Sequence, residues 1–372
     1  MLYLFASGFR KAYKVALLNA ACAPVGSSQT FTYSLGKNIS QRAYEAIETT
    51  RVGSSVLLVF IDRFANGGYQ YVAMRNAELL ELLLDSKQVE ITIRFGNWPK
   101  EGPANSFSPW VRDTLVPLGA PRLSESPQNE NDGDYAVVGL AVPTDLFDPD
   151  DGWRSLVERL SQAQVLQTSD TQTVIFARLD VLEAQTNSVA EWHRPWRVST
   201  SIARLLGNRP PNPALRLKRS LAYRARVTYF FPLQNTNTDA EVPFNLVPSS
   251  GLQPSSSLVG NAAALARAEM FPFRIAALSP TSRESLLLQF GPVPGEVKTM
   301  LAPRIELPIG VAYSAKFLLY ALGIGAVWVG ASGWLSQTTS HDGLFRWGFY
   351  GAPFLQYVAV LAMFRLFGTK IA

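Results

Sequence analysis

The sequence predicts an α+β to mainly β extramembrane region of short strands, in barrel- or sandwich-like domains, followed by a C-terminal hairpin of two transmembrane helices. Three observations carry this. Short runs rich in Val, Ile, Tyr and Phe recur between clusters of Gly, Pro, Asn and Asp, as strands do between turns. The apolar residues crowd toward the C-terminus, and two stretches there, 317–335 and 347–364, contain no charge. Each approaches the roughly 20 residues that a helix needs to cross a hydrocarbon core of about 30 Å.

At 372 residues the chain exceeds the about 100–200 residues of one domain. The expected division is an α+β or small barrel domain over 1–118, a polar linker over 119–134, a β-rich domain over 135–308 and the hairpin within 309–372. Leu2–Ala6 reads as a first buried strand and not as a signal peptide, because Arg10, Lys11 and Lys14 follow the apolar run instead of preceding it. Ser40–Arg51 reads as a helix with Ser40 at its cap and Ala43, Ala46 and Ile47 on one face. Val56–Ile61, Tyr69–Ala73, Val89–Phe95 and Ala136–Ala141 read as strands, and Asn76–Leu84 as a further helix.

Beyond the carboxylate-rich linker, Asp150 or Asp151 opens a helix, where an acidic side chain satisfies free N–H groups; the ligand spacing of a calcium loop is missing. Strands follow at Thr173–Leu179, from Leu215, and at Tyr223–Phe231, Phe244–Val247, Phe271–Leu278, Leu286–Phe290 and Ile305–Leu307. Pro303 and Pro308 are expected to break the chain before the first span.

In the hairpin, 336–346 is too short a turn for a folded domain, so the two helices are antiparallel neighbours. Trp328, Trp334, Trp347, Phe349 and Tyr350 gather toward the turn, where amphipathic rings favour the headgroup region. Lys298, Arg304, Lys316, Arg365 and Lys370 flank the outer ends, which places both termini in the cytoplasm; the membrane expected is the bacterial inner membrane, with an organellar one as the alternative. The single cysteine, Cys22, agrees with a reducing compartment. Gly323, Ala326, Gly330 and Gly333 form a small-residue stripe suited to close helix packing, within the hairpin or between copies.

Charge is distributed unevenly. From Trp192 to Thr238 there is no carboxylate, while Arg194, Arg197, Arg204, Arg209, Arg216, Lys218, Arg219, Arg224 and Arg226 are all cationic; the net charge of +5 thus arises in this basic segment, 192–238. Were Leu215–Phe230 one extended run, its period of two would set Arg216, Lys218, Arg224 and Arg226 on one face and Leu217, Leu221, Tyr223, Val227 and Tyr229 on the other. With Arg194 and Arg197, and with Trp192 and Trp196 for stacking, this face is suited to an anionic partner. Two sources fit, acidic lipid headgroups and a nucleotide or nucleic acid.

Enzymatic chemistry is poorly represented. His193 and His341 are the only histidines, which leaves little for metal sites or triads. No Gly-x-Ser-x-Gly, Walker or dinucleotide loop is legible, and no cofactor is expected. The expectation is a non-enzymatic sensor or effector, whose basic body binds an anionic ligand or partner and controls an oligomeric hairpin that forms a pore or disrupts the bilayer. In architecture it is similar to membrane effectors of bacterial anti-phage defence, which pair a recognition domain with two or more transmembrane helices. The other expectation is a passive anchor or assembly subunit of a larger complex.

Overall fold

Val56–Ile61 is apolar at every position, and a strand of that kind is stable only where both faces of its sheet are covered. The computed structural model shows that cover. It describes residues 1–7, 11–36, 38–63, 69–102, 106–120, 135–148, 151–163, 166, 172–193, 214–218, 221–230, 242–255, 258–262, 268–275, 283–291 and 299–312. The expected spans 317–335 and 347–364, with Gly323, Ala326, Gly330 and Gly333, lie outside the described residues. Among those described, no helix is long and apolar enough to cross a membrane.

The chain is mainly β, with few helices. Its first sheet holds β1 (Leu2–Ser7), β2 (Ser28–Ser34), β3 (Ser55–Arg63), β4 (Tyr69–Leu84), β5 (Gln88–Phe95) and, beyond β6 (Lys100–Glu101), β7 (Ala136–Val138). The order is β2-β5-β4-β3-β1-β7, an open sheet in which β1 and β3 run parallel and the other pairs antiparallel. The sheet therefore continues past the polar stretch 119–134, since β7 follows it in sequence and pairs with β1.

Helices cover both faces. On one lie α1 (Lys11–Cys22) and α2 (Gln41–Glu48), burying Leu17, Leu18, Ala43 and Ile47 with Leu58, Phe60, Val72 and Met74. The other is closed by α3 (Phe107–Thr114), whose Phe107 and Val111 pack with Tyr3, Leu57, Val59 and Tyr71. Ser40 caps α2 as its residue type predicts, accepting the Ala43 N–H at 3.2 Å.

Asn76–Leu84 is not a helix. It is the second half of the sixteen-residue β4, pairing with Val89–Phe95. Leu, Ala and Glu favour helix locally, but the ladder to β5 and burial of Leu79 outweigh a preference of a few tenths of a kcal/mol per residue. A register shift between Leu79 and Glu81 disturbs the alternation, which is why a strand was hard to read there.

The second body begins after β8 (Phe147–Asp148) and α4 (Trp153–Gln162). Asp151 does meet a free helix N–H, accepting from Trp153 at 3.1 Å, although Gly152 occupies the cap. A short parallel pair joins β9 (Gln172–Val174) to a strand near the end of the described chain, Thr299–Leu301. Of the remaining strands, β10 (Phe176–Glu183), β11 (Trp192–His193), β12 (Ala214–Lys218), β13 (Ala222–Phe230), β14 (Val242–Pro248), β15 (Leu252–Pro254), β16 (Val259–Ala262), β17 (Ala268–Ile275), β18 (Arg283–Phe290) and β20 (Ile305–Ala312, following Thr299–Leu301 as β19) make two sheets. One is β10-β13-β17-β15 and the other β11-β12-β20-β18-β14-β16.

The two sheets face each other as a sandwich. Tyr229 meets Phe244 at 6.0 Å between ring centroids, and Phe244 meets Phe271 edge-on at 5.8 Å. Pro308 does not end the chain's extended course; it lies inside β20 opposite Ser285. The ladder from β12 starts only at Ile309, so at the proline itself the strand is paired on one side. One continuous apolar core includes residues of the first sheet and of the sandwich alike.

Candidate functional site: the basic strands and a buried arginine–tryptophan cluster

The sequence expects Arg216, Lys218, Arg224 and Arg226 on one face, and the structure divides them. Leu215 and Leu217 point into the core from β12, and Tyr223, Ala225, Val227 and Tyr229 from β13, as alternation requires. Between Lys218 and Ala222, however, the chain crosses from the six-stranded to the four-stranded sheet. Arg216 and Lys218 therefore lie on the outer face of one sheet and Arg224 and Arg226 on that of the other. The crossover is pinned where the Lys218 N–H donates to the Tyr223 hydroxyl at 2.6 Å. Burial pushes that phenol up to about 12.

Lys218 and Arg224 are exposed, and Arg216 and Arg226 are half-buried. Arg226 donates to Asp180 on the neighbouring strand at 2.7 Å. Trp192 is half-buried and lies against Gly26, whose φ is +94°; a Cβ there would stand 2.1 Å from the indole Cγ. Its ring is thus used in packing the two halves together. Arg194, Trp196, Arg197 and His341 fall outside the described residues, and His193 is placed only as a strand residue opposite Ala214.

A second cluster, which the sequence reading did not single out, sits where the first sheet meets the sandwich. Arg75, in the middle of β4, is fully buried. Its Nε donates to the Gly96 carbonyl at 2.8 Å and its Nη1 to the Ala20 carbonyl at 3.2 Å, while Nη2 has no partner. Its guanidinium stands 3.7 Å from the centre of the Trp98 ring and 5.1 Å from that of Phe95. Arg178 of β10 also reaches Trp98, at 4.6 Å. The indole itself is fixed by donating to Ala21 at 2.8 Å and by an edge contact with Trp153.

Around this stack the charges are ordered. Arg178 pairs with Asp151 and, at 3.1 Å, with Asp180, which also holds Arg226. Burial opposes the Arg178 charge, but Asp180 and Asp151 more than offset it and raise its pKa. Arg75 differs: burial, then the nearby Arg178 charge, drive its pKa well below the usual range. The two aromatic faces supply part of the stabilisation that a carboxylate would otherwise give.

Cys22 completes the group. Its thiol accepts the Ala177 N–H at 3.4 Å, and burial pushes its pKa up to about 12, so it is a neutral packing group at physiological pH. Arrangements of this kind hold two bodies in one orientation. Their sequence signal was present though faint: Arg75 interrupts an apolar strand, and Arg178 and Asp180 stand two apart in another.

No known protein family matches this chain, and no characterised protein matches it in sequence. Fold and site define it as a protein of mainly β class, a mixed sheet flanked by helices and joined to a sandwich by a shared core and a buried arginine–tryptophan cluster.

Proposed function

We propose that this chain is a membrane-anchored sensor or effector, whose β-rich body binds an anionic partner and controls an oligomeric two-helix hairpin. The observation that supports this is the position of β20. It is an inner strand, held by β12 on one side and β18 on the other. Just before it, the Arg304 N–H donates to Asn19 of α1 at 3.2 Å, so the strand starts beside the first body. It ends at Ala312, only residues 313–316 from the uncharged stretch 317–335.

A strand fixed by two ladders transmits displacement instead of absorbing it. Binding at the body and movement of the hairpin are then coupled through β20. Because two helices enclose no pore, several copies assemble through Gly323, Ala326, Gly330 and Gly333, and the assembly opens or disturbs the bilayer in the manner of a defence effector. The reading involves no catalysis.

A second reading, the passive anchor or assembly subunit, is favoured by the continuous core that joins both bodies and leaves little room for internal movement. Two measurements on the full chain separate them. Resistance to alkaline carbonate extraction from membranes is expected on both. Release of dye from acidic liposomes by the reconstituted oligomer is expected of the effector, and intact liposomes at every protein ratio would leave the anchor. A chain extracted by carbonate sinks both.

A further inference from the structure

We infer that the pole of the sandwich from which the chain leaves β20 is a docking face for the acidic headgroups of the bilayer that holds the hairpin. The inference rests on the anchor proposed above and names the anionic partner. Its first support is register. β12 runs parallel to β20 with Lys218 beside Ala312, so the exposed Lys218 stands level with the last residue of the exit strand. The bond from Lys218 N–H to the Tyr223 hydroxyl brings the start of β13 to the same pole. There Ala222 pairs with Arg274 of β17, and Arg224 follows two residues on along the same outer face. Both arginines are exposed.

The second support is reach. An extended chain advances at most about 3.6 Å per residue, so the five residues from Ala312 to the start of the uncharged stretch span no more than ~18 Å. A linker this short lets Lys218, Arg224 and Arg274 approach the interface, where a charged leaflet acts over about 10 Å at moderate salt.

Among the described residues, carboxylates leave most of this charge uncancelled. Glu284 is buried, accepting the Gly251 N–H at 2.9 Å and bonded to Ser249. Glu183 is half-buried and accepts from Thr186 at 3.2 Å. Glu191 is exposed, with its carbonyl bonded to the Arg216 N–H, and is the one free-standing acid near this pole among the described residues.

The third support is shape. Lys218 lies on the outer face of one sheet and Arg224 and Arg274 on that of the other, so the cations rim the pole on two sides. Such spacing suits a plane of many headgroups better than one nucleotide gripped by converging guanidiniums.

The test is amine footprinting of the full chain in nanodiscs of phosphatidylcholine, with and without phosphatidylglycerol. Lys218 is the reporter and the exposed Lys87, in the turn before β5, the control. Acetylation of Lys218 should slow with phosphatidylglycerol and recover at high salt and in the Arg224→Glu/Arg274→Glu variant, while Lys87 is unaffected. Two reversed charges should weaken docking on the order of tenfold or more. Both side chains are exposed, and an unchanged melting curve checks that the variant folds. Equal Lys218 rates in both lipids, in a chain that still resists carbonate, would overturn the docking face and leave the anchor standing. Protection by an added oligonucleotide in neutral nanodiscs, with none from acidic lipid, would reassign the face to nucleic acid and overturn it too. Should the chain prove extractable, the anchor falls, and the docking face, which rests on it, falls with it.

Discussion

The two bodies bury their strands in different ways. In β3 every residue from Val56 to Ile61 is buried, because α1 and α2 cover one face of the sheet and α3 the other. In β13 and β14 only alternate residues are buried, since the sandwich has one inner face and one outer. The exception is instructive: β10 belongs to the sandwich yet is buried on both faces along most of its length, and from its outer side Arg178 reaches Trp98 of the first body. Two-sided burial thus marks where a strand is covered, whichever sheet it belongs to.

Charge placement tests this most strongly. Val59→Asp and Phe60→Asp should both prevent folding, although they point to opposite faces, because an unpaired carboxylate in either core costs several kcal/mol. In β14, Leu246→Asp should do the same, while Asn245→Asp, at an exposed position, should change stability by no more than about 0.5 kcal/mol. Expression and thermal melting of the four variants read the contrast, and tolerance of either β3 variant would break it.

A smaller effect is expected at the seam. Asp180→Ala leaves Arg178 and Arg226 without their shared carboxylate, and removing one partner of a buried pair costs roughly 3 kcal/mol. Both arginines keep some solvent, which argues for the lower end of that range. Urea unfolding measures it, and a loss confined to the sandwich, with the first sheet unaffected, would show that the bodies unfold separately.

The most gradual effect is on pH, and it is confined to alkaline solution. Cys22 has its folded pKa raised from 9.0 to about 12, so the unfolded chain loses that proton first as pH rises. Stability should be constant in this respect below about pH 9 and then fall by about 1.4 kcal/mol per pH unit up to the folded value. The native thiol should resist alkylation at pH 8 and react on denaturation. Ready alkylation of the folded chain would show that the seam opens.

Legibility in the sequence followed the same physics. The α2 helix was readable from Ser40, Ala43 and Ile47, and the sandwich strands from their alternation, because both signals are local. The latter half of β4 was not, since its helix-forming residues are overruled by a partner strand that only the ladder to β5 supplies. The basic residues of β12 and β13 were visible, but not their division between two sheets. The buried cluster was least visible, because Arg75, Trp98, Cys22 and Arg178 come from four separate parts of the chain.

What the sequence determined by itself was the strand-rich character, the positions of most strands and the concentration of positive charge, all of which depend on neighbours a few residues away. Tertiary structure decided which sheet each strand joined, which arginines found carboxylates and which stayed in water. Those outcomes depend on contacts between distant segments, where burial outweighs local preference and a charge is retained only beside a partner, a ring or the solvent.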